Sequence, residues 1–466
     1  MFNVGEFLAG TPKRRYHKCM ASLSFITTLT TAFSMMVPGG MTHDARDLLY
    51  SSQLAFGRDG IPMLTVGVME GQPRVTLTSP SGLVLTLSGP GQARVRIPGG
   101  HELTATVLGG RPGKTHYRVV LAATRGGDLK TIQGIRKAWN KRGLELAEVS
   151  IGGIVGFPSR VLDNRKSLLV EKRVYGTRRS AEKRARQLME RWKLKSRPTV
   201  YGQPLTRAKG TVVVTDPRSG LVIQQADLLT FTSADGGPVT VKNVEYGRGY
   251  RHHGFEDRRY RGQIVIAVDK TAHLTVVNRL SSEEILQGIV PMEIYPTAPT
   301  AALEAQAIAA RSELFAKIGV KNLADPFLVC ATQRCQVYGG VDKEKPATTR
   351  AVRRTRGKMI FSPKDYLVDG VYHASCGGST EHNEHVWEGV ANATLRGKYD
   401  GPPSGRPWPK GQVPTLAQLK AFLARTPQSY ASMTRLGRHV LRWKKTFTQE
   451  QLDRLVNARY AIGTVE

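Results

Sequence analysis

The stretch GIVPMEIYPTAPTAALEAQAIAARSELF, residues 288–315, sets one carboxylate, Glu293, between Pro291 and Pro296 and then enters an alanine-rich segment. The prolines restrict the backbone on either side of the acid. Met292, Ile294 and Tyr295 offer it an apolar setting, and desolvation of that kind disfavours an ionised carboxylate. In the segment that follows, Ala302, Ala305, Ala309 and Ser312 fall on neighbouring helical faces, small enough for another backbone to approach closely. The pattern predicts a buried central helix. Gln306 and Arg311 are the polar side chains that such a helix would not bury without partners.

Working outward, TVVVTD, GLVIQQADLLTFTS, VTVKNVEYG, GQIVIAVD and HLTVVNRL, between Thr211 and Leu280, read as strands leading up to the acid. From about Pro62 to Val107, short alternating runs such as LTVGVME and RVTLTS are punctuated by Gly and Pro and read as small hairpins. Between Lys114 and Leu194 the order changes to strand, helix, strand, strand, helix, the last helix strongly basic with Ser180 as its candidate N-cap. The expected fold is α+β: β-rich consecutive modules with the alanine-rich helix central to the last. The divisions fall at 1–40 (leader), 60–110 (small β-rich segment), 114–195 (βαββα segment) and 210–466 (main domain).

At roughly 100–200 residues per domain, 466 residues allow two to four domains. Sixty-eight Lys and Arg against 37 Asp and Glu give a net charge of +31. Such a surface attracts polyanions: nucleic acid, anionic lipid or an acidic cell-wall polymer. No Cys/His finger, leucine zipper or aromatic RNA-binding strand accompanies the charge, so no specific nucleic acid is expected. Lys13, Arg14, Arg15, His17 and Lys18 precede an apolar run from Met20 to Val37, closed by Pro38, Gly39 and Gly40. That order is the one of an export signal, and it points to an exported protein of the cell envelope. No later run reaches the ~18 apolar residues that a membrane span needs. The four cysteines, Cys19, Cys330, Cys335 and Cys376, are too few for a disulfide scaffold.

The order of motifs resembles the SpoIID/LytB family of peptidoglycan-acting proteins, among them the stage II sporulation protein D and the amidase enhancer. The residues that carry the likeness are Arg259 to Gly262, Val276 to Asn278, Leu286 with Gly288, Val290-Pro291 with Glu293, and Ala302 to Arg311. It continues in CATQRCQVYGG (330–340), in VYHASCGGSTEHNEHVWEG (371–389) and in Arg442-Trp443. The glycine-rich H-G-V-G-M-S-Q-x-G-A segment with which members usually end does not follow ARYAIGTVE. Upstream, VYGTRRSAEKRARQLMERW resembles the end of a SPOR repeat, which binds glycan strands stripped of peptides.

The resemblance implies a lytic transglycosylase that cleaves glycan strands with Glu293 as its one acid and base. The alternative that it implies is a non-catalytic glycan-binding protein that enhances an N-acetylmuramoyl-L-alanine amidase. Gln306, Arg311, Gln336, Tyr338, Ser375, Thr380 and Glu381 would bind sugar, and Glu381 would be the second acid of an ordinary hydrolase. No cofactor is required for that chemistry. Cys330, Cys335, His373 and Cys376 could hold a structural zinc ion, with a Cys330–Cys335 disulfide as the competing account.

Overall fold

The computed structural model describes residues 49–88, 93–157, 160–194, 197–363, 366–387, 391–409 and 412–460. The leader read in residues 1–40 lies outside them. The α+β class is what the chain adopts. Two antiparallel sheets enclose one core, and helices gather at one side of it. The first sheet runs, edge to edge, through Ala55–Phe56, Pro62–Gln72, Leu274–Ser281, Gln263–Val268, Leu228–Ser233, Leu83–Thr86 and Arg94–Ile97. The short strand Val329–Cys330 adds to it, parallel to Pro62–Gln72. The second sheet orders Leu221–Ala226, Lys209–Asp216, Glu102–Arg111, Val75–Thr78, Val239–Tyr246 and Gly254–Tyr260.

Burial follows the sequence patterns. Val75–Thr78 and Leu83–Thr86 alternate buried and half-buried residues, as strands with one covered face should. Gln263–Val268 and Leu274–Ser281 read as continuous apolar runs and are buried on both faces. Both are interior strands of the first sheet, and the helix Ser282–Glu293 packs against Leu274–Ser281.

The modules are not consecutive. Strands from 62–111 pair with strands after Lys209 in both sheets, so the segment taken as separate belongs to the main domain. Its runs are too short to cover themselves and need partners from later in the chain. Residues 114–206 are instead an insertion between two neighbouring strands, Glu102–Arg111 and Lys209–Asp216, which pair with each other. The insertion has the predicted order plus a further strand, Thr199–Thr206. Its four main strands are ordered Thr199–Thr206, Lys114–Arg125, Lys166–Glu171, Leu146–Ile151, all antiparallel. With helices Leu129–Asn140 and Arg178–Trp192 this is a split βαβ arrangement. The second helix is capped by Thr177, whose hydroxyl accepts from Ser180 N at 3.2 Å, so Ser180 lies inside the helix and is not its cap.

A two-stranded hairpin in the insertion, Ile154–Phe157 with Arg160–Asp163, docks on the main domain. Val155 and Leu162 join the main core, and the Phe157 ring meets Phe315 edge-on at 6.0 Å. Asn164 Nδ2 donates to the carbonyls of Phe315 (3.0 Å) and Ile318 (2.9 Å), and Gly152 N donates to Gly319 O at 2.7 Å. These donors bind the last turn of the alanine-rich helix, at Phe315, and the turn that follows it, at Ile318 and Gly319.

Candidate active site

Two consecutive helices carry the site. The first, Ser282–Glu293, starts at Ser281, whose hydroxyl accepts from Glu284 N at 3.3 Å, and has Glu283 and Glu284 in its first turn. Acidic residues there complement the helix dipole. Pro291 falls in its last turn and Glu293 is its last residue, so the acid leaves a helix end and not a free loop. The second helix, Thr300–Ala316, is the predicted alanine-rich one. Its buried small residues are Ala307, Ala310, Ser312 and Ala316, whereas Ala305 faces solvent. Ala309 does admit a close backbone: a Cβ on Gly370 would lie 2.9 Å from Ala309 O.

The motif residues upstream hold the first helix to the sheet. A Cβ on Gly288 would lie 2.5 Å from the Tyr338 ring, so only glycine lets the ring pass. Tyr338 donates its hydroxyl to Asn278 Oδ1 at 2.8 Å, and Asn278 Nδ2 donates to Arg261 O (2.8 Å) and Gln263 O (3.2 Å). Arg261 pairs with Glu344 and Arg259 with Asp342, fastening the loop after the site to the same strand end. Tyr338 is 2% exposed and is a core residue, not a surface for sugar.

Glu293 is partly buried, with Oε1 accepting from Val337 N at 2.9 Å. Burial raises its pKa above the ordinary glutamate value, outweighing the Val337 N–H, the Lys317 charge and the Tyr372 hydroxyl, which all favour the anion. Tyr372 faces both Glu293 and Glu313, and burial followed by these two carboxylates pushes its hydroxyl far up, so it acts only as a neutral donor. Its hydroxyl donates to Gln336 Oε1 at 3.1 Å, while Gln336 Nε2 donates to Ala310 O at 3.1 Å. Gln336 is therefore buried structure beside the site. Glu313 forms an ion pair with Lys317 one turn on, and Lys317 Nζ also donates to Cys335 O at 2.7 Å.

Glu313, Lys317 and Tyr372 are the site residues that sequence reasoning missed. Glu313 and Lys317 sit four apart in an otherwise apolar stretch, the spacing of an ion pair on one helical face. That was the available signal.

The other predicted residues are placed elsewhere. Arg311 is 1% exposed and gives Nε and Nη2 to the two oxygens of Glu283, each at 2.8 Å. Its remaining donors reach the carbonyls of Val352 (3.2 Å) and Lys358 (3.1 Å). Since Glu283 opens the helix that Glu293 ends, Arg311 is a structural tie and not a sugar ligand. Gln306 Nε2 is buried with no hydrogen-bond partner. Ser375 accepts from Gly377 N at 3.3 Å, and Thr380 is bound to the Lys398 backbone. Glu381 is exposed. Although partial burial pulls its pKa up, His382 N and His385 outweigh that and leave it lowered. The carboxylate that faces Glu293 is Glu313.

Cys330 and Cys335 are joined as a disulfide. His373 is exposed and Cys376 is a free thiol beside Asp400, so the four expected zinc ligands do not converge. Among the described residues no three His, Cys, Asp or Glu side chains group as metal ligands. Nor is any described helix long and apolar enough to cross a membrane.

Residues 270–361, which contain Glu293, both site helices and the disulfide, match the SpoIID family, described as stage II sporulation protein. The likeness to this family is that of this segment, which is part of the two-sheet main domain. An uncharacterised protein of Brachyspira hyodysenteriae is 33% identical over 192 residues, 40% of this chain and 47% of that one. The amidase enhancer of Bacillus subtilis is 34% identical over 102 residues, 22% of this chain and 13% of that protein. The chain thus spans less than half the length of the curated relatives it matches. The SpoIID match ends before Tyr372 and the segment 375–381.

Proposed function

We propose that this protein is a lytic transglycosylase of peptidoglycan in the cell envelope, with Glu293 as its single acid and base. The observation that carries the reading is the desolvated Glu293, kept protonated more readily than a free glutamate. With Oε1 taken by the Val337 N–H, the proton belongs on Oε2. Glu293 passes that proton to the glycosidic oxygen as the bond to the anomeric carbon of the muramic residue breaks. The resulting carboxylate then removes the proton of that residue's own 6-hydroxyl, whose oxygen closes on the anomeric carbon to give a 1,6-anhydro end. Glu293 is returned protonated, and no water enters. A hydrolase would need a second carboxylate at the substrate, and the neighbouring Glu313 is tied to Lys317.

The disulfide suits an oxidising compartment outside the cytosol. The inserted module, with 22 Lys and Arg against 7 Asp and Glu, would hold the protein on anionic wall polymer, in keeping with its SPOR-like ending. The amidase enhancer among the relatives favours a second reading, in which the same fold binds glycan and assists a wall amidase.

The test is product analysis. Purified glycan strands, with and without stem peptides, are incubated with the wild type and with Glu293→Gln and examined by mass spectrometry. Anhydro-muramic ends from the wild type alone support the transglycosylase. Glycan binding without cleavage by either protein overturns it in favour of the second reading.

A further inference from the structure

The catalytic proposal uses Glu293 and leaves a second carboxylate unexplained. Glu313 is 8% exposed and Lys317 5%; Glu313 lies in the last turn of the alanine-rich helix and Lys317 is the residue that caps it. A buried ion pair is costly to desolvate, and a hydrophobic pair of similar volume often serves a core as well. Stability is thus a weak reason for placing this pair beneath the active-site acid.

Its surroundings suggest another. Lys317 is the charged group that faces Glu293 as well as Glu313, and Tyr372 lies between the two carboxylates. Asp369 and Lys321 are the further charges that face Glu313 and Lys317 from the neighbouring segments. Lys317 is held in place from the other side by the carbonyl of Cys335, next to which Gln336 grips Tyr372.

We propose that Glu313 and Lys317 are a positioning pair for Glu293, in which Glu313 neutralises the Lys317 ammonium and, with Gln336, steadies the Tyr372 hydroxyl that faces the acid. This deepens the reading of Glu293 as the acid and rests on it. An unopposed ammonium beneath the site would hold Glu293 as the anion, which cannot protonate a leaving oxygen. An unopposed Glu313 carboxylate would do the reverse and trap the proton on Glu293.

The two halves of the pair therefore push in opposite directions, which a merely structural role would not do. The experiment is a carbon-13 NMR titration of the glutamate side-chain carboxyls in the full chain, with the Glu293 signal assigned by its loss in Glu293→Gln. Against the wild type, Glu313→Gln should move the Glu293 midpoint down and Lys317→Met should move it up, each by about one pH unit or more. The double variant, which removes both buried charges and is the safer fold, should return it close to the wild-type value. The pair is overturned if the midpoint stays put or moves the same way in both single variants, or if the folded double variant departs from the wild type as far as either single variant. This readout does not depend on turnover. Failure of the wild type to cleave glycan would sink the transglycosylase while leaving the electrostatic result standing. Where the wild type does cleave, the high-pH limb of its rate should follow the same shifts.

Discussion

Glu293 illustrates how a single residue serves function against stability. Its pKa is raised in the folded state by burial above the ordinary value of 4.5. Below that value the carboxyl is protonated whether the chain is folded or unfolded, and the site costs nothing. As pH rises from 4.5 through the raised folded value, the unfolded chain ionises first and stability falls. Glu293→Gln escapes this, so it should unfold at higher urea concentration than the wild type at neutral pH, with the gain vanishing below pH 4.5. Equal midpoints at neutral pH would show that the carboxylate is solvated at no cost. Arg311 behaves in the opposite sense. Arg311→Met strands Glu283 without its bidentate partner and should cost about 3–5 kcal/mol in urea unfolding.

At the scale of elements, the site depends on how closely the helix Ser282–Glu293 lies on its neighbours. Gly288 is the point of contact, where the Tyr338 ring crosses the helix. Gly288→Ala should cost about 1–3 kcal/mol despite the better helix propensity of alanine, because the ring cannot retreat without losing its bond to Asn278. Chemical denaturation measures this directly, and a neutral or stabilising result would mean that the loop 336–340 yields easily. The elements themselves were legible because their signals are local: alternation in the strands, an alanine-rich run in the helix, and an acid between prolines. The roles of Arg311, Gln336 and Tyr338 were not. All three are polar residues within motifs, and only their partners, Glu283, Ala310 and Asn278, separate a core tie from a ligand. Those partners are 26 to 60 residues away in sequence. Glu313 was missed for the converse reason: its spacing from Lys317 signals an ion pair, but only the fold brings Tyr372 to face both it and Glu293.

For the whole molecule, the insertion of residues 114–206 into a hairpin is the feature that a linear reading could not reach. Sequence shows the order of elements but not that Arg111 and Lys209, on either side of the module, lie opposite each other in one sheet. Strand pairing makes the ends meet, and this frees the module to carry its positive charge as a separate unit. Its hairpin nevertheless buries Val155 and Leu162 in the main core, and Asn164 just after it binds the end of the helix that bears Glu313. Replacing 112–208 by an Asn-Gly turn suits the antiparallel pair and should leave a chain that still unfolds cooperatively. Losing the buried side chains of Val155 and Leu162, with the small Ala208, should cost it at least about 3–6 kcal/mol. Binding to an anionic matrix should weaken, and what remains should depend less steeply on salt, because exposed charges act over only about 10 Å at 0.1 M ionic strength. A sedimentation assay with anionic wall polymer at two salt concentrations checks this. Undiminished binding by the shortened chain would place the polyanion surface on the sandwich and leave the insertion with its structural contact to the helix end alone.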